Sequence, residues 1–206
     1  MLLNFDYDGV IVDSLGNLLN LTINAQNHVG VGRTPTRNDF ATLEDMTYEA
    51  LARTIEIPKD KIPGFIETVR DLERRPPAPT FLFPDISTVF EQLARDHEIV
   101  VITASTTETV TRILEENGLS RTVAKVMGGE LGLSKAKRIA MAQADIDAGP
   151  DDTAMIGDAV SDIRQGKLAR VKTVAVTWGF QSREFLIAER PDLLADTPMD
   201  LLTLFN

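Results

Sequence analysis

Residues 98–103, Glu98-Ile-Val-Val-Ile-Thr103, hold four apolar residues in a row between a charged side chain and a hydroxyl. A strand with one wet face alternates apolar and polar. A short apolar run without alternation marks a strand buried on both faces. The pattern recurs on either side. Thr122-Val-Ala-Lys-Val-Met127, Asp152-Thr-Ala-Met-Ile-Gly157 and Lys172-Thr-Val-Ala-Val-Thr177 read as further strands, and Leu2-Leu-Asn-Phe-Asp6 as a first one. Helical stretches separate them. Thr107 to Gly118 places Val110, Ile113 and Leu114 on one face; Lys135 to Asp145 and Asp162 to Ala169 follow. Strands alternating with helices predict an α/β fold, a Rossmann-like parallel sheet covered on both faces and so three layers deep.

Upstream the rhythm changes. Ser14 to Val29, Asp39 to Ile55 and Lys59 to Arg74 all read as helical with no strand between them, so they cannot belong to the alternating pattern. The segment Arg74-Arg-Pro-Pro-Ala-Pro-Thr80 then sets three prolines within four residues, which neither a helix interior nor a central strand accepts. The economical reading is a core of residues 1–14 and 81–206 with a small all-helical cap, residues 15–80, inserted after the first strand.

The composition bounds the function. The 206 residues are 43% hydrophobic and 25% charged, the balance of a globular chain rather than a disordered one. No cysteine is present, which excludes disulfides, thiolate zinc sites, iron–sulfur clusters and cysteine nucleophiles. A net charge of −10 argues against nucleic acid as a partner, since that binding is driven by phosphate neutralisation. No apolar run approaches the roughly 20 residues of a membrane span. The opening Met1-Leu-Leu-Asn4 lacks the basic start and long apolar run of a secretory signal, so a cytoplasmic location is expected.

Ligands of an open parallel sheet bind beyond the carboxyl ends of its strands. The residues found there are Asp6 and Asp8, then Thr103 and Ser105, then Lys135 and Lys137 at a helix start, then Asp158 and Asp162. Clustered carboxylates repel one another unless a cation sits among them. Mg²⁺ suits such oxygen donors, because it takes one or two carboxylates and keeps positions for water and phosphate. Asp6 and Asp8 lie two apart in an extended segment and so point the same way. A carboxylate nucleophile, a metal ion, backbone N–H groups at a helix start and a lysine together describe phosphoryl transfer on a small phosphorylated metabolite.

These residues also resemble a known family. Phe5-Asp-Tyr-Asp-Gly-Val-Ile-Val-Asp-Ser14 is similar to the first signature of the haloacid dehalogenase-like hydrolases. Val100-Val-Ile-Thr103 resembles the second and Lys135 the third, with Ile139 in register better than for Lys137. Met155-Ile-Gly-Asp158-Ala-Val-Ser-Asp162 resembles the fourth. The inserted helices, together with Val176-Thr-Trp-Gly179 and Ser182-Arg-Glu184, look like the phosphoglycolate phosphatase-like branch. The resemblance implies roles. Asp6 would be nucleophile and metal ligand. Asp8 would be general acid and base, its backbone carbonyl facing Mg²⁺. Thr103 and the N–H of Ala104 would hold phosphoryl oxygens, and Lys135 would pair with Asp6 and the phosphate. Asp158 would bind the metal, with Asp162 in support. Relatives often carry Asn or Ser and then Lys after the threonine; this chain has Ala104 and Ser105.

The expected activity is thus a Mg²⁺-dependent phosphomonoester hydrolase, of phosphoglycolate or a sugar phosphate, working through an aspartyl-phosphate as a monomer or homodimer. Alternatives are a 2-haloacid dehalogenase, a hexose-phosphate mutase, or a non-catalytic metal-binding protein. Other polar residues have plainer explanations. Asp13 and Ser14 suit a helix N-cap. Ser105 suits another, with Glu108 completing a capping box. Asp162 suits a first helical turn. His28 and His97 read as surface or helix-end residues, Trp178 as packing, and Arg33 and Arg37 as loop residues. Asp145, Asp147, Asp151 and Asp152 read as a solvated turn.

Overall fold

The computed structural model describes residues 1–74 and 79–205. In chain order its elements are β1 (Leu2–Phe5), β2 (Val12–Asp13), α1 (Leu15–Val29), α2 (Arg37–Ala41), α3 (Tyr48–Thr54), α4 (Ile62–Glu73), β3 (Phe81–Leu82), α5 (Ile86–Leu93), β4 (Glu98–Ile102), α6 (Thr107–Glu116), β5 (Lys125–Met127), α7 (Lys135–Ile146), β6 (Thr153–Gly157), α8 (Val160–Leu168), β7 (Lys172–Val176), α9 (Arg183–Ala188), β8 (Leu193–Ala195) and α10 (Asp200–Leu204).

Six strands form one parallel sheet in the order β5-β4-β1-β6-β7-β8. Side chains alternate across its pleat. Leu3 and Phe5 of β1, with Ile99, Val101 and Ile156, face α5, α6 and α10, where the Phe5 and Phe90 rings lie 4.8 Å apart. Leu2, Val100, Ile102 and Met155 face the other way, onto Ile139 and Ala142 of α7. Ala175 of β7 meets Val160 and Ile163 of α8 and Leu186 of α9. Both faces are therefore covered, which is why the strands read as continuous apolar runs.

The helices between β2 and β3 build a second apolar cluster of their own, centred on Phe40, Leu51, Ile55 and Phe65. The chain enters and leaves this unit through an antiparallel ribbon, Val12 opposite Leu82 and Asp13 opposite Phe81. Two residues per strand are too short for any periodic signal, and the sequence reading missed the ribbon. It missed α5, β8, α9 and α10 as well. The single helix expected over Asp39–Ile55 is two, α2 and α3. Each has its own N-cap: Thr36 donates its N–H and hydroxyl to Asp39 at 2.7 and 2.8 Å, and Thr47 accepts from the Ala50 N–H at 3.1 Å. The strand expected from Thr122 begins only at Lys125. Most of the proline-rich connector lies outside the described residues. Among the described residues no helix is long and apolar enough to cross a membrane.

Asp39 holds an ion pair within the helical unit. Its carboxylate accepts from both terminal nitrogens of Arg33, one at 2.8 Å, as well as from Thr36. Arg33 above all, then the Thr36 bonds, holds the Asp39 carboxyl down to about 2. A depressed carboxyl stabilises the fold above its ordinary value of 3.8, and that stability is lost as pH falls through about 2. Arg33 is half open to solvent, so water screens much of this contribution. Urea melts should show Asp39→Asn less stable from pH 7 to 5, with the gap narrowing as pH falls below about 4. A gap of constant size would remove the ion pair as its source.

Candidate active site

β1 lies between β4 and β6, so the chain turns to opposite sides of it at their carboxyl ends and leaves a crevice there. Asp6 and Asp8 follow β1, Thr103 follows β4 and Asp158 follows β6. Asp162 stands in the first turn of α8, and Lys135 is the first residue of α7. Gln165 of α8 accepts from the Ala136 N–H at 3.1 Å and so aligns the two helix starts.

Carboxylate oxygens of Asp6, Asp158 and Asp162 lie within 4.8 Å of one another. The Lys135 ammonium reaches two of the three, Asp6 at 2.8 Å and Asp162 at 2.5 Å. Burial opposes the charge on Lys135, but Asp162 and Asp6 outweigh it and hold the ammonium above the ordinary lysine range. The acids move the other way. Burial, then the charges of Asp6 and Asp162, push Asp158 well above the usual carboxyl value, against a 2.7 Å bond from the Phe180 N–H. Asp162 is raised to about 6, by burial first; Lys135 opposes the rise and Asp6 adds to it. The other Asp162 oxygen accepts from the Ala159 N–H at 3.2 Å, so the first-turn explanation and the site position hold together. Lys137, two residues on, is exposed, and its backbone N–H bonds to the Ser134 cap.

The Asp8 carboxylate is not part of this cluster. It accepts from the Ser14 hydroxyl at 2.6 Å and from the Ser105 hydroxyl at 2.8 Å. Burial and Asp6 raise its carboxyl, and the two serines pull it back. Two sequence expectations are corrected here. Ser14 is the N-cap of α1 but makes no capping bond with its side chain, because its hydroxyl is turned to Asp8, and Asp13 lies exposed in β2. The N-cap of α6 is Thr106, not Ser105, and it bonds to Thr109 rather than forming a box with Glu108. Both serines had acceptable local explanations, and nothing in the sequence showed their approach to Asp8.

Thr103 is fully buried, and its hydroxyl accepts from the Ser105 N–H at 3.0 Å, leaving its own hydrogen to donate. That bond folds the loop and leaves Ala104 exposed at its tip. Beneath it the buried Arg138 donates to the carbonyls of Thr103 at 2.5 Å and Met127 at 2.8 Å, tying β4 to β5. The sequence reading missed Arg138. Its spacing of three from Lys135 puts the two on one helix face and was the available signal.

The floor beside Asp158 is made of glycine. Gly9 has φ +80°, and a Cβ there would run into the Asp158 carboxylate. A Cβ at Gly179 would strike Asp158 and the Gly9 carbonyl. The Trp178 indole N–H donates to the Val10 carbonyl at 3.1 Å and pins this segment to the turn after β1. The remaining polar residues stand apart from these groups. Arg33 is held by Asp39, and Arg37 is exposed at the start of α2. His97 bridges the N-terminal amine and the Phe205 carbonyl, and His28 is exposed near the end of α1. Asp145 pairs with Lys125 at 2.5 Å.

Three carboxylates against one ammonium leave an excess of negative charge in a buried space. The donors are all hard oxygens, with no imidazole or thiolate among them. This set fits a divalent cation of the Mg²⁺ type.

Comparison with known proteins agrees with the geometry. Residues 3–176 match the sequence model of the haloacid dehalogenase-like hydrolases. A phosphoglycolate phosphatase of Synechococcus elongatus is 28% identical over 96% of this chain and 93% of its own length. The pyrophosphatase PpaX of Anoxybacillus flavithermus is 26% identical over 98% of this chain and 95% of its own. The solved structure of a haloacid dehalogenase-like hydrolase from Streptococcus pneumoniae superposes with a TM-score of 0.84 at 22% identity, covering 100% of this chain and 98% of that one. The chain, with its parallel sheet, its inserted helices and its acidic cluster at the strand ends, belongs to the haloacid dehalogenase-like hydrolase family.

Proposed function

We propose that the protein is a phosphatase that hydrolyses the monoester of a small phosphorylated metabolite, with Asp6 as nucleophile and Mg²⁺ as cofactor. The observation that carries this reading is the buried cluster of Asp6, Asp158 and Asp162 around Lys135, beside a separate, serine-held Asp8. Asp6, Asp158 and Asp162 would hold the ion, with the Asp8 backbone carbonyl beside them. When bound, it neutralises charge on the phosphoryl oxygens and lets an anionic substrate approach an anionic nucleophile.

The chain's own groups then divide the work. A carboxylate oxygen of Asp6 attacks phosphorus in line; the Asp6 O–P bond forms as the ester P–O bond breaks. Asp8, its carboxyl raised by burial, gives its proton to the leaving oxygen. In the second half it takes a proton from water, which attacks the aspartyl-phosphate and frees Asp6 and phosphate. Ser14 and Ser105 fix the Asp8 carboxylate between the two roles. Lys135, the Ala104 N–H and the Thr103 hydroxyl hydrogen supply donors to the phosphoryl oxygens. A departing halide needs no proton, so a held acid and a cation site favour phosphate over carbon–halogen cleavage. The core is residues 1–14 and 81–206, and the cap, residues 15–80, closes over the crevice to exclude water. The names of the relatives favour phosphoglycolate or another small phosphate, pyrophosphate included, as substrate.

Turnover of p-nitrophenyl phosphate tests the roles. Asp6→Asn should lower kcat by at least about a thousandfold, since its carboxylate forms the covalent bond. Lys135→Ala should lower kcat/KM at least about a hundredfold, while Lys137→Ala stays near wild type. Near-normal turnover by Asp6→Asn would overturn the assignment.

The cation leaves a thermodynamic mark. Raised carboxyls bind protons more tightly in the folded state. Their contribution is therefore present at low pH and lost as pH rises from the ordinary value of 3.8 through about 6 for Asp162. In chelator the melting temperature should fall across that window. Mg²⁺ should restore it, with about 2.7 kcal/mol gained at a hundred times its Kd, and at one fixed Mg²⁺ concentration the gain should be larger at pH 8 than at pH 5. Asp158→Asn should flatten the pH slope in chelator and abolish the Mg²⁺ shift. A full shift retained by that variant would remove Asp158 from the ion's ligands.

A further inference from the structure

The segment after β7 touches the turn after β1, Asp158, the start of α8 and also the helical unit. Trp178 holds the turn after β1, and Gly179 packs on Asp158. Phe180 gives its N–H to Asp158 and its ring to the apolar cluster of the inserted helices, whose other buried members all lie between Leu15 and Val69. The Ser182 N–H donates to the Ala41 carbonyl at the end of α2, at 2.9 Å. Between them Gln181 is buried and has both ends of its amide committed. Its oxygen accepts from the Val160 N–H, the first of α8, at 2.6 Å, and its nitrogen donates to the Leu43 carbonyl at 2.6 Å. Val160 stands between Asp158 and Asp162 in sequence. One side chain thus joins the α2–α3 connection of the cap to the backbone that aims two of the three clustered carboxylates.

We propose that Gln181 is a positioning residue that couples docking of the helical cap to cation binding at Asp6, Asp158 and Asp162. A cation that draws Asp158 and Asp162 together fixes the start of α8. Gln181 and Phe180 then hold the Leu43 segment down. When the cap lifts, the same bonds pull on the carboxylates and weaken the ion's hold. The hydroxyls of Ser14 and Ser105, by contrast, both go to Asp8. This proposal rests on the reading of the acidic cluster as a cation site, and not on the identity of the phosphate ester.

Amide hydrogen exchange of the wild-type chain, in Mg²⁺ and in chelator, tests it without any substrate. Peptides covering residues 40–47 and 157–165 should both exchange more slowly in Mg²⁺. Gln181→Met has nearly the same length and volume but neither hydrogen bond. It should keep Mg²⁺-dependent protection at 157–165 and lose it at 40–47. Its apparent Mg²⁺ affinity, from a thermal-shift titration, should be about tenfold weaker. For p-nitrophenyl phosphate the concentration of Mg²⁺ giving half-maximal rate should rise by the same factor, with kcat at saturating Mg²⁺ little changed; a general loss of packing would not produce that split. Protection of 157–165 alone in the wild type overturns the coupling and leaves the cation site standing. No protection at either segment overturns both. Should Gln181→Met not fold, the wild-type comparison still decides.

Discussion

One ammonium facing three carboxylates in a buried crevice is the constraint on which the site depends. Lys135 can neutralise only one of Asp6, Asp158 and Asp162, and it already bonds to two of them. Burial and the neighbouring charges raise the carboxyls of Asp158 and Asp162, so each resists ionising beside the others. Such an arrangement is unfavourable for the fold alone. Burial without full pairing costs stability, which is the usual mark of a site kept for its chemistry.

The rest of the core can be seen as the means of holding that charge in place. A sheet covered on both faces fixes the strand ends, and three of those ends, with the starts of α7 and α8, deliver site residues spread along the chain from Asp6 to Asp162. Two glycines leave room for the Asp158 carboxylate, and Arg138 ties together the carbonyls beneath the Thr103 loop. Asp8 is kept apart from the cluster and held by two hydroxyls. This division gives two chemically similar aspartates, two residues apart, different environments.

The sheet was legible because buried parallel strands are apolar runs, and helices alternating with them leave few other architectures. The positions of Asp6, Asp8, Lys135, Asp158 and Asp162 at one edge followed from the same pattern. What was hidden had local alibis or no period. Ser14 and Ser105 made acceptable caps on paper, and only the tertiary approach to Asp8 reassigns them. Asp39 to Ile55 kept a helical composition across a break that two threonine caps impose. The β2–β3 ribbon is too short to leave a pattern. Gln181 lies between two residues that resembled a family stretch, and its partners are backbone groups, which no sequence motif records.

The most direct test of the central claim is calorimetric titration of the metal-free protein with Mg²⁺ near pH 6, repeated in buffers of different ionisation enthalpy. If a cation displaces the proton that Asp162, raised to about 6, holds for part of the time, binding should release protons near pH 6, and fewer as pH rises. Binding with no proton release near pH 6, or no binding at all, would contradict the account.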